Sequence, residues 1–379
     1  MAELIVRGAC ALVDEAWVVT DVAARDGVLV TPDSVGSSAD EIAADGLRLA
    51  PGYVDLQCNG GLGIDLAGQP ERLWELGAAL PRFGVTAWLP TIVSTPEGIV
   101  DRAIAALAAG PPEGWRGAVP VGLHLEGPFL SVAGRGAHPE ALLCLPTLAA
   151  IEGWSRERGV ALVTLAPELP GALEVIEALV ARGVVVSLGH SHATAAQVTR
   201  AIDAGASWVT HLFNGMGPLH HREPGLPGVA LADERLRVGL IPDGVHVHPD
   251  VVTMAQRALG TRLTIVTDAV GALGMPPDRQ SLGRAEVIIG ADGVRLPDGT
   301  LAGSDLAMDQ GVRNLVAFSR CAVEEALHAA STAPAGVLGD ASRGTLALGA
   351  RADLALLADD LHLVSTIVAG EVVHDRWSH

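Results

Sequence analysis

Three residues that commonly bind metal ions stand at or just after the ends of short apolar runs. They are Glu126, His190 and His211. Runs of Val, Leu and Ile bounded by glycine indicate buried parallel strands, and parallel strands of one sheet deliver their last residues to the same edge. One carboxylate and two imidazoles suit Zn²⁺ or a similar divalent ion and leave a coordination position for water. The sequence therefore predicts a metal site built from these three side chains.

Asp268 follows a further apolar run and is the predicted general base. A divalent metal lowers the pKa of a bound water towards ~7, so a neighbouring carboxylate can accept its proton. The alternative is that Asp268 caps a turn ahead of Ala269. Four polar groups at four strand ends favour the chemical interpretation. His124, two residues before Glu126, is expected to pack in the interior or to support the site.

These residues need a scaffold that brings distant segments together, and the middle of the chain has such a pattern. Helical patterns, such as residues 172–181, separate most of eight apolar runs. The runs cover residues 53–57, 85–91, 119–125, 160–165, 184–188, 207–211, 236–241 and 263–267. Eight strands with intervening helices over about 250 residues are typical of a (β/α)8 or TIM barrel, an α/β fold. A doubly wound sheet is the alternative, but no Gly-x-Gly-x-x-Gly motif follows the first run.

Both ends of the chain are predicted to form a second, smaller domain. Short strand patterns separated by turns fill residues 1–50 and recur in residues 345–379. Because chain termini often lie close together, the two segments are expected to share one sheet. The remaining residues, 51–344, are assigned to the barrel. They include a turn-rich insertion at 271–303, followed by a predicted helix at 307–320.

Composition excludes several kinds of chemistry and partner. The chain of 379 residues contains no lysine, so Schiff-base, P-loop and carbamylated lysines are impossible. A net charge of −19 argues against nucleic acid and anionic membranes as partners. No apolar run reaches the ~18 residues of a membrane span, and no signal peptide is expected. Four isolated cysteines fit a reducing compartment, so a cytoplasmic location is expected.

Seven motifs together resemble those of the amidohydrolase superfamily. They are Pro51-Gly52-Tyr53-Val54-Asp55, His124-Leu125-Glu126-Gly127-Pro128, Gly189-His190-Ser191, His211-Leu212-Phe213-Asn214, Arg222-Glu223-Pro224-Gly225, Asp243-Gly244-Val245-His246 and Val266-Thr267-Asp268-Ala269. Within the superfamily, the set is similar to the amino-sugar phosphate deacetylases over nearly the whole chain. The resemblance implies a metal-dependent hydrolase barrel with a small β-sandwich domain. It also implies hydrolysis of N-acetyl-D-glucosamine 6-phosphate to D-glucosamine 6-phosphate and acetate, a reaction of amino-sugar metabolism.

The chain departs from the wider superfamily at the end of its first predicted strand. Many relatives carry His-x-His there for a second metal, whereas this chain reads Gln57-Cys58-Asn59. Amides replace imidazoles poorly as zinc ligands. The absent lysine removes the bridging ligand that other relatives use. The resemblance therefore implies one ion per subunit held by Glu126, His190 and His211, with Zn²⁺ expected and Fe²⁺, Mn²⁺ or Co²⁺ as alternatives.

The resemblance also implies roles for residues that the pattern alone does not single out. His138 is expected to stabilise the oxyanion, while Asp268 passes a proton to the leaving amine. Arg222 is the best candidate for the phosphate because guanidinium binds phosphate bidentately, and His246 is the second. A homodimer is expected, in which either residue can serve the neighbouring subunit. The other expected substrate contacts are Ala137, His138, Asn214, Gly215, Asp243, Leu301, Ala302 and Gly303.

Two other kinds of function remain open at this point. A deacetylase of the same fold could act on another N-acetyl sugar phosphate, such as a galactosamine phosphate, or on an N-acyl amino acid. A catalytically silent barrel could serve as a binding or assembly protein, although the four predicted site residues argue against it. Turnover of N-acetyl sugars with and without the 6-phosphate, together with a metal assay, separates these functions.

Overall fold

The N-terminal segment forms strands, as predicted, but the first two are longer than the short strands expected there, with 11 and 10 residues. The computed structural model describes residues 3–277, 279–282 and 285–376, so the predicted domain residues 1–2 and 377–379 lie outside it. The strands are β1 (Glu3–Val13), β2 (Ala16–Arg25), β3 (Val28–Val30), β4 (Asp40–Ala43) and β5 (Arg48–Pro51). Strand β1 pairs antiparallel with β2 and parallel with β4 and β5.

The chain then forms a parallel barrel with helices between its strands. The strands in this part are β6 (Tyr53–Cys58), β7 (Gly60–Gly61), β8 (Ile64–Asp65), β9 (Val85–Val93), β10 (Val119–Pro120), β11 (Leu123–Glu126), β12 (Val160–Leu165), β13 (Val185–Leu188), β14 (Trp208–Val209), β15 (Arg237–Leu240) and β16 (Leu263–Ile265). The helices are α1 (Leu73–Ala79), α2 (Ile99–Ala108), α3 (Ala172–Ala181), α4 (Ala195–Asp203), α5 (Gly225–Ala232) and α6 (Pro249–Leu259). Strands β7 and β8 form a small hairpin outside the barrel.

The eight predicted runs each contain a strand of this parallel sheet, so the predicted barrel is confirmed. The third run is divided into β10 and β11. The division lies at Pro120, which has no N–H to donate, and at Gly122, whose φ of 133° suits glycine. Hydrogen bonds join the first and eighth strands: Asp268 N–H donates to the Gln57 carbonyl at 2.9 Å, and Asn59 N–H donates to the Ala269 carbonyl at 2.7 Å. The closure therefore lies beside a predicted catalytic residue.

A belt of buried polar side chains crosses the barrel interior just below the predicted metal ligands. It links Thr91, His124, Thr164, Thr210 and Ser187, which come from or directly follow five neighbouring strands. The distances run from 2.5 Å between Ser187 Oγ and Thr210 Oγ1 to 3.3 Å between Thr91 Oγ1 and His124 Nδ1. Buried polar groups of this kind fix the relative positions of strands when every member has a partner.

The predicted turn-rich insertion contains a small antiparallel sheet. Its strands are β17 (Arg279–Leu282), β18 (Ala285–Gly290) and β19 (Gly293–Arg295). Val287, Ile289 and Val294 form an apolar cluster with Ala272 under this sheet. The predicted helix follows as α7 (Met308–Ser319), and α8 (Val323–Ala330) and α9 (Thr332–Val337) complete the helical part.

The C-terminal strands return to the N-terminal ones and form the second domain. They are β20 (Leu354–Leu357), β21 (Leu363–Val368) and β22 (Glu371–Asp375). Strand β20 pairs antiparallel with β5, so strands from both ends form one mixed sheet in the order β22-β21-β20-β5-β1-β2-β3. This sheet has its own apolar core, which supports our proposal that residues 1–50 plus 345–379 form one domain and 51–344 the other. None of the helices in the described part is long and apolar enough to cross a membrane.

Candidate active site

The three predicted metal ligands converge at the carboxyl ends of the barrel strands. Glu126 is the last residue of β11, while His190 and His211 each lie two residues beyond a strand. Oε1 of Glu126 lies 3.0 Å from Nε2 of His190 and 2.9 Å from Nε2 of His211. The two Nε2 atoms are 3.1 Å apart, and all three side chains are buried. The barrel thus brings together residues that are far apart in sequence.

The donor set fits a divalent cation. Nδ1 of His190 donates to the Gly134 carbonyl at 2.9 Å, which leaves its Nε2 with a free lone pair. That lone pair faces a second imidazole nitrogen and a carboxylate oxygen, a donor set suited to a cation between them. Burial alone raises the pKa of Glu126, but its two histidine neighbours hold it well below its usual value. Two imidazoles and one carboxylate form a common protein site for zinc and similar ions.

His138 is a fourth ligand-type residue at this site. Potential ligand atoms of Glu126, His138 and His190 lie within 4.8 Å of one another, so these three form an alternative ligand group. However, Nε2 of His138 is 4.0 Å from Glu126 Oε2, whereas His211 Nε2 is 2.9 Å from Oε1. The shorter distances favour His211 as the third ligand. The His138 ring contacts the His190 ring edge-on at 4.6 Å between centroids.

Asp268 lies beside this group and is held by two amides. Nδ2 of Asn59 donates to Asp268 Oδ1 at 2.7 Å, and Nε2 of Gln57 donates to the same oxygen at 3.0 Å. The Gln57 amide also donates to Glu126 Oε1 at 2.9 Å, so it joins the two carboxylates. Burial, followed by the charge of Glu126, raises the pKa of Asp268 to about 6. A carboxylate with such a pKa can both accept and return a proton near neutral pH.

Three of the functional residues have unusual backbone conformations. His190, His211 and Asp268 have φ values of 48°, 25° and 49°. Non-glycine residues rarely adopt these values, and each costs on the order of 1–3 kcal/mol. Such outliers persist only where the surroundings hold them, and they concentrate at active sites. The three strained residues therefore lower the free energy of unfolding, while their backbone conformations direct the side chains into the pocket.

The pocket above these residues contains most of the predicted substrate contacts. It has a volume of about 430 Å³. The predicted residues that line it are Glu126, Ala137, His138, His190, His211, Asn214, Gly215, His246, Asp268, Leu301, Ala302 and Gly303. Val287 and Leu296 from the insertion form an apolar wall that the sequence analysis did not identify. Among the described lining residues there is no arginine.

Two predicted residues lie outside the lining. Asp243 lies behind His246: its Oδ2 accepts from His246 Nδ1 at 2.6 Å, and its Oδ1 accepts from the His246 backbone N–H at 2.8 Å. Asp243 thus orients His246, and its direct contact with substrate stays a prediction. Arg222 is exposed, and its guanidinium lies 2.8 Å from Nε2 of His221. Its role in phosphate binding also stays a prediction.

Other polar residues support the site from behind. His124 is fully buried, its Nε2 lies 2.7 Å from Thr164 Oγ1, and burial lowers its pKa to about 4. It therefore supports the barrel interior as expected. In the sequence, Gln57 and Asn59 stand out only because they replace histidines, and nothing singles out Ser94, which contacts His138 Nδ1. Ser94 follows β9 directly, so its place at a strand end was the available signal.

Comparisons with known proteins show to which family the chain belongs. The sequence model of the amidohydrolase family matches residues 50–373. An N-acetylglucosamine-6-phosphate deacetylase from Bos taurus is 39% identical over 97% of this chain and 93% of its own length. An N-acetylgalactosamine-6-phosphate deacetylase from Escherichia coli O157:H7 is 37% identical over 97% of this chain and 98% of its own.

A solved structure shows the same fold. It is an aspartate-to-alanine mutant of N-acetyl-D-glucosamine-6-phosphate deacetylase from Mycobacterium smegmatis, in complex with N-acetyl-D-glucosamine-6-phosphate. Its TM-score is 0.89 at 33% sequence identity, over 98% of this chain and all of that chain. Because the matches extend over both the barrel and the terminal sheet, the chain belongs to the amidohydrolase family.

Proposed function

We propose that this protein hydrolyses the acetamido group of N-acetyl-D-glucosamine 6-phosphate to give D-glucosamine 6-phosphate and acetate. The observation that carries the proposal is the convergence of Glu126, His190, His211 and Asp268 at the base of one pocket. The relatives from Bos taurus and Mycobacterium smegmatis, which match nearly the whole chain, bear the name of this activity. The family is metal-dependent, and the donor set described above fits one divalent ion.

The proposed ligands are Glu126, His190 and His211. Zn²⁺ suits two imidazoles and one carboxylate, and Fe²⁺, Mn²⁺ or Co²⁺ are alternatives. When bound, such an ion would polarise the amide carbonyl and lower the pKa of water in the site. Gln57 and Asn59 offer amide oxygens rather than imidazoles where a second ion would otherwise bind, so we propose one ion per subunit.

In the proposed reaction, Asp268 moves the proton. It accepts a proton from the attacking water, whose oxygen bonds to the acetyl carbon. It then returns that proton to the sugar nitrogen as the C–N bond breaks, so that a neutral amine and acetic acid leave, and the acid releases its remaining proton to solvent as acetate. Its Oδ1 is occupied by Asn59 and Gln57, which leaves Oδ2 for the proton. His138, on the pocket wall, is proposed to donate a hydrogen bond to the carbonyl oxygen as negative charge develops there.

The phosphate is proposed to bind across a dimer interface. A dianionic phosphate needs cations, yet the chain has no lysine and the described pocket lining has no arginine. Arg222 is exposed and available to a neighbouring subunit, while His246 lines the pocket of its own subunit. We therefore propose a homodimer in which Arg222 completes the partner's site. The four free cysteines support a reducing, cytoplasmic location as part of the proposal.

Acetate release tests this function directly. The wild-type protein is expected to act on N-acetylglucosamine 6-phosphate, and Asp268→Asn is expected to keep its metal and lose turnover by about three orders of magnitude or more. Asp203→Asn, an exposed aspartate on α4, serves as the control for a generic loss of charge. A wild-type protein that binds metal but releases no acetate from any sugar phosphate would contradict the proposal.

A second candidate substrate is the galactosamine epimer. The relative from Escherichia coli O157:H7 is named for it and matches nearly the whole chain. The two epimers differ only in the orientation of the C4 hydroxyl, so a comparison of kcat/KM for both 6-phosphates decides between them. The same sugars without phosphate show how much the phosphate contributes.

A further inference from the structure

We propose that Ser94 is a positioning residue that holds His138 with its ring proton on Nε2, so that His138 donates into the pocket and stays off the metal. This inference rests on the proposed deacetylation, because it explains how His138 can serve that reaction. Ser94 is 4% exposed and follows the last residue of β9, whereas His138 lies in the loop after β11.

Two groups of Ser94 meet the same ring nitrogen. Its backbone N–H donates to Nδ1 of His138 at 3.3 Å, and its Oγ lies 2.9 Å from that atom. A backbone N–H can only donate, so Nδ1 must accept and cannot carry the proton. In a neutral imidazole the proton then lies on Nε2. The serine hydroxyl can donate to the same lone pair and reinforce this choice.

The remaining contacts of His138 leave only Nε2 available to a substrate. Its backbone carbonyl accepts from the Arg135 guanidinium at 3.1 Å, and its ring packs edge-on against His190. Nε2 points towards Glu126, 4.0 Å from Oε2. A proton on Nε2 is favourable next to that carboxylate, whereas a bare lone pair there would be repelled. The charge of Glu126 and the position of Ser94 therefore favour the same tautomer.

The side chain of Ser94 is tightly packed against the backbone at Gly127. A Cβ added to Gly127 would lie 2.5 Å from Ser94 Oγ, and Gly127 has a φ of 91°. Glycine at 127 thus lets the chain after β11 pass close to the hydroxyl. Strand β9 ends where it can present both polar groups of Ser94 to the loop that carries His138. This close packing supports the inference that the contact between Ser94 and His138 orients the imidazole ring.

The tautomer has two chemical consequences. A neutral imidazole with hydrogen on Nε2 can donate to a developing oxyanion without giving up its proton. The same proton blocks Nε2 from binding a metal ion, because a ligand nitrogen must be unprotonated. This explains why His138 lies near the ligand group without needing to belong to it. The opposite tautomer would remove the donor and create a fourth ligand.

The tautomer can be observed without an activity measurement. In zinc-loaded wild-type protein, a two-bond ¹H–¹⁵N correlation spectrum of histidine rings distinguishes protonated from bare nitrogens. His138→Gln identifies the His138 signals by their loss. We expect hydrogen on Nε2 and a bare Nδ1. A proton on Nδ1 in the wild-type protein would overturn the inference.

Kinetics then test whether the contact matters. Ser94→Ala keeps the backbone N–H and loses the hydroxyl, so we expect kcat to fall about five- to tenfold, with KM within about twofold. Because the backbone N–H still donates to Nδ1, the spectrum of the variant should keep hydrogen on Nε2, and the fall in kcat then measures the loss of ring orientation by the hydroxyl. Ser319→Ala is the matched control, because it removes one buried serine hydroxyl that bonds to the Leu315 carbonyl, far from the site.

Each outcome of the kinetic test decides the role of Ser94. A loss in Ser94→Ala with unchanged metal content and melting temperature supports positioning. A loss no greater than in Ser319→Ala, or one explained by lost metal, overturns it. A wild-type protein without deacetylase activity would instead count against the proposed function, while the tautomer measurement would still decide whether Ser94 orients His138.

Discussion

Nε2 of His190 and Nε2 of His211 lie 3.1 Å apart, and both face Oε1 of Glu126. These distances gather three potential ligand atoms around one point, where a divalent ion would balance the carboxylate charge and accept the imidazole electron pairs. We therefore predict about one divalent ion per subunit in wild-type protein and a large loss of bound ion in His211→Ala, measured by mass spectrometry of the metal. Chelation should lower the melting temperature, because the ion binds the folded state.

His138→Gln is the matched control for that measurement. If Nδ1 of His138 accepts from Ser94, its side chain is not a ligand, and the variant should keep the ion while losing activity. Metal loss in His138→Gln with retention in His211→Ala would instead assign the ligands to Glu126, His138 and His190.

Gly134→Ala should weaken metal binding although Gly134 is not a ligand. A Cβ there would lie 2.4 Å from the Gly215 carbonyl oxygen and 2.7 Å from the His190 carbonyl carbon, both in backbone. The loop would shift, and His190 Nδ1 would lose its partner, the Gly134 carbonyl. Supporting contacts of this kind are worth about 10–100-fold in metal affinity.

Competition with a chromogenic chelator measures this change. Gly153→Ala is the control, since its added Cβ would meet only the mobile end of the Arg158 side chain. Equal affinities in the two variants would show that the Gly134 contact does not orient His190.

Asp55→Asn should change how stability depends on pH. Asp55 is buried and accepts from Thr267 Oγ1 at 2.6 Å, and none of its contacts within the described part of the chain is with a cation. Burial raises its pKa to about 7, from an ordinary value of 3.8. A raised pKa means that the folded state favours the protonated carboxyl. Its contribution is therefore complete below about pH 4 and is lost as the pH rises through about 7.

Urea unfolding at about pH 5.5 and pH 8 measures this effect. The free energy of unfolding of the wild-type protein, relative to that of Asp55→Asn, should fall by about 2 kcal/mol between the two pH values. This follows from about 1.36 kcal/mol for each pH unit between 5.5 and the folded pKa of about 7. Asparagine can donate to Thr267 Oγ1 while that hydroxyl donates to the Gln57 carbonyl, so the variant should fold. A pH-independent difference would show that Asp55 is ionised throughout.

Mixing two impaired variants, assayed at a substrate concentration well below the KM of Arg222→Gln, tests whether Arg222 acts across an interface. In a hybrid dimer of Arg222→Gln and Asp268→Asn, one site would combine an intact Asp268 with the partner's intact arginine. Random exchange of subunits should then restore about one quarter of wild-type activity on the 6-phosphate. Two residues acting within one subunit would give no recovery. Arg222→Gln alone should raise KM for the 6-phosphate much more than for the unphosphorylated sugar.

The sequence was informative wherever a role depended on a strand end. Glu126, His190 and His211 could be predicted to meet because each closes or follows a buried run, and parallel strands end at one edge. Gln57, Asn59 and Ser94 also lie at or next to strand ends, but that position alone does not give their roles. Their functions consist of hydrogen bonds to Asp268 and His138, and these bonds depend on side-chain directions that only the closed barrel defines.

The insertion shows a second limit. Its glycine- and proline-rich composition correctly indicated turns, but three short strands also form there, and Val287 lines the pocket. Short antiparallel strands packed on a neighbouring loop have too little periodicity to stand out. Leu301, Ala302 and Gly303 were placed at the pocket only through the family resemblance, and they do line it.

The pairing of β5 with β20 has a consequence for biosynthesis. Leu49 of β5 lies opposite Leu356 of β20. Because β5 is synthesised early and β20 near the end of translation, β5 cannot pair with β20 until most of the chain has been made. Until then β5 has an open hydrogen-bonding edge that other chains could pair with. Expression of the chain without its last strands should therefore favour aggregation, however well the barrel itself can form.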